Sequence, residues 1–436
     1  MKIKKFIPFI AMLIGIITAV IKNGGIATLT VTFLITIMLL FLISNEKKEF
    51  GKTFINGMQS QMLSTLIGSF LLAGILSQIF SVSKIFQAIL WIMSYLHISV
   101  FWIPAFAFGL SLFISLVCGT SAGTISTVLP IFLTLGIEAG IKTELLVGAI
   151  VGGAVMGNIL SPLSDVVIST SLTTKSTIND VVKENLTISI GIAIITVILL
   201  SIVGVNSFES NIIIFKQSKV NIWSLILLSL PIIMMILIKK KWDLVSTLLV
   251  CDFVGIIFNL LLGNITASSL LMEDGILYKG MSGMQGIILY SMMLFWIIEI
   301  IKKEGFFETF LEKIAHGCKN KRGAKFMIWF GTILGVIFTA GGSSGIMMFG
   351  SIASELAQRF DIEKEYVTRT LSIVSASMVS ILPYGTTYIL STGIVKQATG
   401  IQLLYKDCVL MIIFCDICVL AQLIAVFTSK ERRGKK

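Results

Sequence analysis

The sequence predicts an all-α polytopic membrane protein of about 12–14 transmembrane segments, holding two inverted repeats with broken helices or re-entrant hairpins. Three observations carry that expectation. Apolar runs of about twenty residues, the length that spans a hydrocarbon core, recur along the chain. They do so in 436 residues that are 56% hydrophobic and 13% charged, with a mean hydropathy of +0.97. Lys and Arg gather in the short loops between the runs. Finally, most of one stretch, Gly119 to Thr170, occurs twice.

In chain order, spans are expected near residues 6–21, 25–44, 57–81, 98–118, 122–138, 143–160, 186–204, 222–238, 243–263, 283–301, 326–340, 344–360, 366–382 and 408–428. A short apolar piece at 86–97 suits the membrane interface. The opening MKIKK and the run Phe6 to Val20 resemble a signal peptide, but the run ends in IKNGG with no small-residue cleavage site, so it reads as a retained first span. A β-barrel is excluded because the segments are continuously apolar, where barrel strands alternate. No polar run is long enough for a separate soluble domain. The formal charge of +11 raises nucleic acid as a partner, yet the basic residues sit in short loops, so none is expected. Cys118, Cys251, Cys318, Cys408, Cys415 and Cys418 fall mostly inside apolar segments and read as small packing groups, without a disulfide framework.

The duplication is gapless at an offset of 222 residues. It sets GTSAG (Gly119 to Gly123) on GGSSG (Gly341 to Gly345), AVMGNIL (Ala154 to Leu160) on ASMVSIL (Ala376 to Leu382), and VVIST (Val166 to Thr170) on YILST (Tyr388 to Thr392). In each copy a Gly/Ser/Thr cluster is followed by a Pro-broken polar run, SPLSD (Ser161 to Asp165) or PYGTT (Pro383 to Thr387). Paired interruptions in two halves of a membrane protein point to a transport site.

Basic residues favour cytoplasmic loops. With the N-terminus inside, Lys47, Lys48, Lys52, Lys175, Lys183, Lys239 to Lys241, the 302–325 loop and the tail from Lys430 share one side, so both termini are expected in the cytoplasm. The first repeat then begins outside, before Val100, and ends inside at the 171–185 loop. The second begins inside, after Lys325, and ends outside, before Cys408. The copies are inverted, and the expected divisions are N-terminal segments 1–97, first repeat 98–185, connecting spans and cytoplasmic loop 186–325, second repeat 326–407, and last span with basic tail 408–436.

Unwound backbone in lipid costs several kcal/mol per unsatisfied group unless it lines a cavity or binds something. Its carbonyls and hydroxyls suit a small hard cation, and half-helix N-termini attract carboxylates. The candidates in copy one are Gly119, Thr120, Ser121, Gly123, Thr124, Asn158, Ser161, Pro162, Ser164 and Asp165. In copy two they are Gly341, Gly342, Ser343, Ser344, Gly345, Ser380, Pro383, Thr386 and Thr387. The competing reading is that Gly and Ser let helices pack closely. Asp165 is the acid of the set, facing Thr387 at the same offset or Thr386 if the prolines are aligned. It either binds Na⁺ and H⁺ in competition or only caps the segment that follows. Asp252 and Asp416 lie within apolar spans and are further candidates for proton or ion coupling, or else protonated acids bonded to a neighbouring helix.

Three motifs are set aside. GTSAG and GGSSG match the G-x-S-x-G of nucleophile elbows, but that motif needs a strand-to-helix turn and a His, and the chain has only His97 and His316, at span ends. Cys415 and Cys418 form a C-x-x-C without a second ligand pair. The basic 302–325 loop carries little aromatic interleaving. No enzyme and no resident metal or cofactor are expected.

GNILSPLSD (Gly157 to Asp165), with GTSAGTISTVLP (Gly119 to Pro130) before it, resembles the NhaC-type sodium:proton antiporters of the ion transporter superfamily. The two-copy layout is similar to the inverted repeats with paired hairpins of that superfamily. The resemblance implies a multi-pass inner-membrane transporter that exchanges Na⁺ for H⁺ or uses either ion to move an organic solute. It departs at Asn158, where that family often has Asp: Asn can offer Na⁺ a carbonyl oxygen but cannot titrate.

The expected function is a secondary active Na⁺/H⁺ antiporter, working by alternating access with the two ions competing at a midplane site. Ion-coupled transport of an amino acid or carboxylate is the alternative, and a passive channel is a third class. The expected partners are the lipid bilayer, Na⁺, H⁺ and, in the alternative, a small organic solute; a homodimer is one assembly open to it.

Overall fold

The structure, a computed structural model, describes residues 7–21, 26–44, 46–85, 88, 91, 100–206, 222–240, 242–303 and 318–428. His97, His316, the tail from Lys430 and most of the 86–97 piece lie outside the described residues. Among those described, every regular element is helical. The order is α1 (Ile7–Ile21), α2 (Ile26–Ile43), α3 (Phe50–Met58), α4 (Gln61–Val82), α5 (Ile103–Cys118), α6 (Ser121–Glu138), α7 (Thr143–Leu160), α8 (Asp165–Thr174), α9 (Ile178–Asn206), α10 (Ser229–Lys239), α11 (Leu244–Leu261), α12 (Ile276–Gly283), α13 (Gln285–Lys303), α14 (Lys321–Thr339), α15 (Gly342–Arg359), α16 (Lys364–Ile381), α17 (Thr386–Thr399), α18 (Tyr405–Val409) and α19 (Ile413–Thr428). Eight helical stretches among the described residues are long and apolar enough to cross a membrane, and α5, α6, α19 and Ile222–Ile238 are shorter apolar helices. This is an all-α polytopic membrane protein.

Sequence pattern decides which helices face lipid. Helix α9 exposes Ile190, Ile194, Ile198 and Ile202, one apolar stripe at i+4 spacing that suits acyl chains. Helix α7 is buried on every side from Leu145 to Leu160, because its glycines let neighbouring backbones close in. Gly153 and Gly157 lie against the carbonyls of Phe108 and Leu112 on α5, and Gly148 against that of Met411.

The chain direction follows from these pairings. In the second copy, Gly335 meets Gly345 and Gly331 meets Phe349, so α14 and α15 form an antiparallel hairpin with its tip at Ala340 and Gly341. In the first, the rings of Phe106 and Phe132 lie 6.0 Å apart, which folds α5 and α6 into a like hairpin about Gly119 and Thr120. Helices α7 and α16 are each followed by a short break and then a half-helix, α8 or α17. Asn185 joins the Ile159 carbonyl to Ser372, while Lys364 donates to the Lys175 carbonyl and Ser176 lies 3.2 Å from Thr368. Helix α8 therefore continues the direction of α7, antiparallel to α16. It adds ten residues, about 15 Å at 1.5 Å per residue, beyond the level of the first hairpin tip. Both hairpins fold back at a tip in the same way, and the two copies run in opposite senses.

Two expectations are corrected. The 171–185 loop shrinks to residues 175–177, since α8 runs to Thr174 and α9 begins at Ile178. The backbone register is 221 residues, one less than the sequence offset, as the helix starts Ser121 and Gly342, Thr143 and Lys364, and Asp165 and Thr386 show. The counterpart of Asp165 is thus Thr386, the pairing that aligns Pro162 with Pro383.

Candidate functional site

Four breaks, two per copy, repeat the same backbone. Gly119 (φ 71°, ψ 17°) and Thr120 (φ −144°, ψ 125°) end α5 and begin α6. Ala340 (φ 53°, ψ 16°) and Gly341 (φ −140°, ψ 144°) do the same between α14 and α15. The left-handed residue satisfies a terminal carbonyl, Gly119 N–H donating to Ser115 and Ala340 N–H to Val336. Ala340 holds that conformation with a Cβ, at a cost of roughly 1–2 kcal/mol. At the second break, Ser161 and Leu382 are extended after α7 and α16, and Ser164 (φ −68°, ψ 133°) and Gly385 (φ −67°, ψ 144°) lead into α8 and α17.

The breaks meet. Leu163 packs against Gly119, so both breaks of copy one touch. The Tyr384 hydroxyl donates to the Ile337 carbonyl at 2.9 Å, which joins the breaks of copy two. Across the copies, a Cβ on Gly342 would stand 3.3 Å from Val166 Cγ2, and Ser354 Oγ donates to the Thr173 carbonyl at 2.9 Å. Helices α8 and α15 therefore run side by side from a common start, and α17 packs on α6. Four helix N-termini and four C-termini converge, so N–H groups that attract anions stand beside carbonyls that suit cations.

Several candidate hydroxyls already have work inside the fold. Ser164 Oγ accepts from the N–H of Val166 and of Val167 and caps α8; Ser161 Oγ accepts from Leu163 N–H. Thr124 donates to the Thr120 carbonyl. Ser121 and Ser115 both donate to the Ala154 carbonyl, at 3.3 and 2.6 Å. Ser380 and Thr387 lie 3.0 Å apart. Gly123 is buried against Met234 and Leu244 of the intervening helices, Gly345 is buried in its hairpin, Ser343 and Ser344 are half-buried, and Pro383 is buried where Pro162 is exposed. Asn158, one turn before its break, is 7% exposed, and its Oδ1 has no hydrogen-bond partner among the described residues.

Asp165 is exposed at the first residue of α8, where its Oδ1 accepts from Val166 N–H at 3.0 Å. Because Ser164 supplies the cap, the Asp165 charge is not needed to start the helix. Asp252 is buried on α11 and Asp416 half-buried in the first turn of α19, each on a helix outside the four breaks. All six cysteines are free, and no group of three or more His, Cys, Asp or Glu among the described residues is arranged to hold a metal.

Sequence reasoning missed the polar bridges that tie the copies to one another and to the surrounding helices. Asn185 ties α7 to α16, Arg369 lies 3.7 Å from Glu184, and Gln397 Nε2 on α17 reaches the carbonyls of Gly74 and Gly280 at 2.8 and 3.3 Å. The expected loop at 171–185 takes in Glu184 and Asn185, which hides their position on α9. Gln397 follows the last strongly apolar residue of its half-helix, a place with no hydropathy signal.

A family model described as the Na⁺/H⁺ antiporter family matches residues 1–205 and 208–427. No curated protein matches the chain.

Proposed function

We propose that this chain, which belongs to the Na⁺/H⁺ antiporter family, exchanges Na⁺ for H⁺ by alternating access, the two ions competing at the convergence of the four breaks. The observation that supports this reading is the repeated break geometry, with one acid, Asp165, standing at it. In this mechanism the Asp165 carboxylate holds either a proton or Na⁺. Thr120, Ser121, Asn158, Ser161 and Ser164, with the free carbonyls of the breaks, supply further oxygens. Loading one ion displaces the other, which couples the two fluxes without a separate linkage. The second copy closes the cavity from the opposite side, because its hairpin enters in the reverse sense. With the basic loops inside, the chain sits in the cell membrane with both termini in the cytoplasm.

The convergent helix N-termini favour a second reading, in which a substrate carboxylate binds there and Na⁺ or H⁺ drives an organic solute. Asn158, unable to titrate, fits that reading as well. One assay separates the two. In proteoliposomes loaded with a pH-sensitive dye, an imposed Na⁺ gradient is expected to move protons with no solute added. Silence rescued by an amino acid or organic acid transfers the assignment to a solute carrier, and silence under every condition overturns both.

A further inference from the structure

We propose that Asp252 is a second proton-binding carboxyl, set in the scaffold on a helix that packs beside the first hairpin. Helix α11 presents one stripe to α4: Val245 against Gly68, Gly255 against Ile79, and Asn259, whose Nδ2 donates to the Ile79 carbonyl at 3.3 Å. Asp252 stands on that stripe, two helical turns from both Val245 and Asn259. It is 4% exposed, and neither carboxyl oxygen has a hydrogen-bond partner among the described residues.

Among the described residues, no neighbouring element offers a countercharge. Helix α4 carries no titratable residue, nor does Ile222–Leu228. On α10 the only charged residue is Lys239, nine positions beyond Leu230, and Leu230 marks the level of the acid because its carbonyl faces the Cys251 thiol at 3.7 Å. Helix α6, which reaches α11 where Gly123 meets Leu244, has only Glu138, at its far end. On α11 itself the other titratable groups are Cys251 and the capping Asp243, and from α5 the Cys118 thiol, one residue before Gly119, lies near Cys251; none of these is a cation.

A carboxylate without partner or cation in such a seam is unstable, so the acid is held neutral in this conformation. A neutral acid serving as glue between helices would show a bonded oxygen, just as the Asn259 amide nitrogen is bonded across the same stripe; Asp252 shows none among the described residues. The group is therefore buried at a cost that the folded arrangement does not return, which is the mark of a residue used in another state. Opening the α4–α11 seam to water would let the carboxyl O–H break, the proton passing to water and the carboxylate remaining until the seam closes.

The test is infrared difference spectroscopy of the full-length protein in liposomes, stepped in pH and in Na⁺. The wild type is expected to lose a protonated-carboxyl C=O band as pH rises. Asp252→Asn should lack that band and release one proton fewer, while Asp165→Asn should keep it. Asp252→Glu should restore a band at a shifted midpoint, which guards against misfolding of the Asn variant. A wild-type difference spectrum identical to that of Asp252→Asn overturns the proposal even if Na⁺ drives protons. If the band behaves as expected but a Na⁺ gradient moves no protons, the antiport reading fails and the Asp252 site stands.

Discussion

Asp165→Asn should reduce Na⁺-driven proton movement in vesicles to the background of empty vesicles while leaving expression and folding intact. The structure makes this substitution unusually clean. Asn keeps an Oδ1 to accept from Val166 N–H, and the cap of α8 is Ser164, whose Oγ takes the N–H groups of Val166 and Val167. What is lost structurally is one exposed charge at a helix N-terminus, worth about 0.3–1 kcal/mol. What is lost functionally is the one acid among the break residues, so the effect on coupling is far larger than the effect on stability. Coupling that survives in Asp165→Asn, measured at equal protein per vesicle, would remove the residue from the mechanism and return it to the role of a second-rank cap.

Gly157→Val should cost the folded protein at the upper end of the about 1–3 kcal/mol typical of overpacking, or more. A Cβ there would press on the Leu112 carbonyl and stand 2.6 Å from Ser115 Cβ and 2.7 Å from Leu116 N. Two of these are backbone atoms of α5, and a backbone cannot rotate out of the way. The helices would have to part beside Asn158, in the helix pair that carries the first hairpin. Gly109, on the exposed face of the same α5, has nothing within 4 Å of its Cβ position, so Gly109→Ala serves as a matched control and should be neutral or slightly stabilising. Thermal unfolding of the purified variants checks the pair. A Gly157→Val protein that melts with the wild type would show that α5 and α7 are not in contact there.

Hydropathy placed most expected spans on helices, but 57–81 crosses the break between α3 and α4, and 408–428 falls across α18, a break at 410–412 and α19. It missed α8 and α17 as helices. Both are rich in Ser and Thr, whose hydroxyls bond back to carbonyls one turn earlier: Thr170 to Val166, Thr174 to Thr170, Ser391 to Thr387 and Thr392 to Tyr388. A hydropathy sum counts those oxygens as polar, although in place they are satisfied within the helix. The site was legible as a repeated Gly/Ser pattern because the same backbone turn needs small or turn-forming residues in both copies. Its register was off by one, since Gly119 and Ala340 share a left-handed conformation without sharing a residue type. The cross-copy contacts depend on three-dimensional proximity of residues about 180 positions apart, such as Thr173 and Ser354, and no local pattern encodes them.

The central claim is that a break of one copy abuts a break of the other at a single site. Cysteines placed at Val166 and Gly342, in a chain with its six native cysteines replaced, test it in native membranes under mild oxidation. The account predicts a disulfide between the two, because a Cβ on Gly342 lies 3.3 Å from the Val166 side chain. Two cysteines that each react with a maleimide yet never link to one another would contradict it.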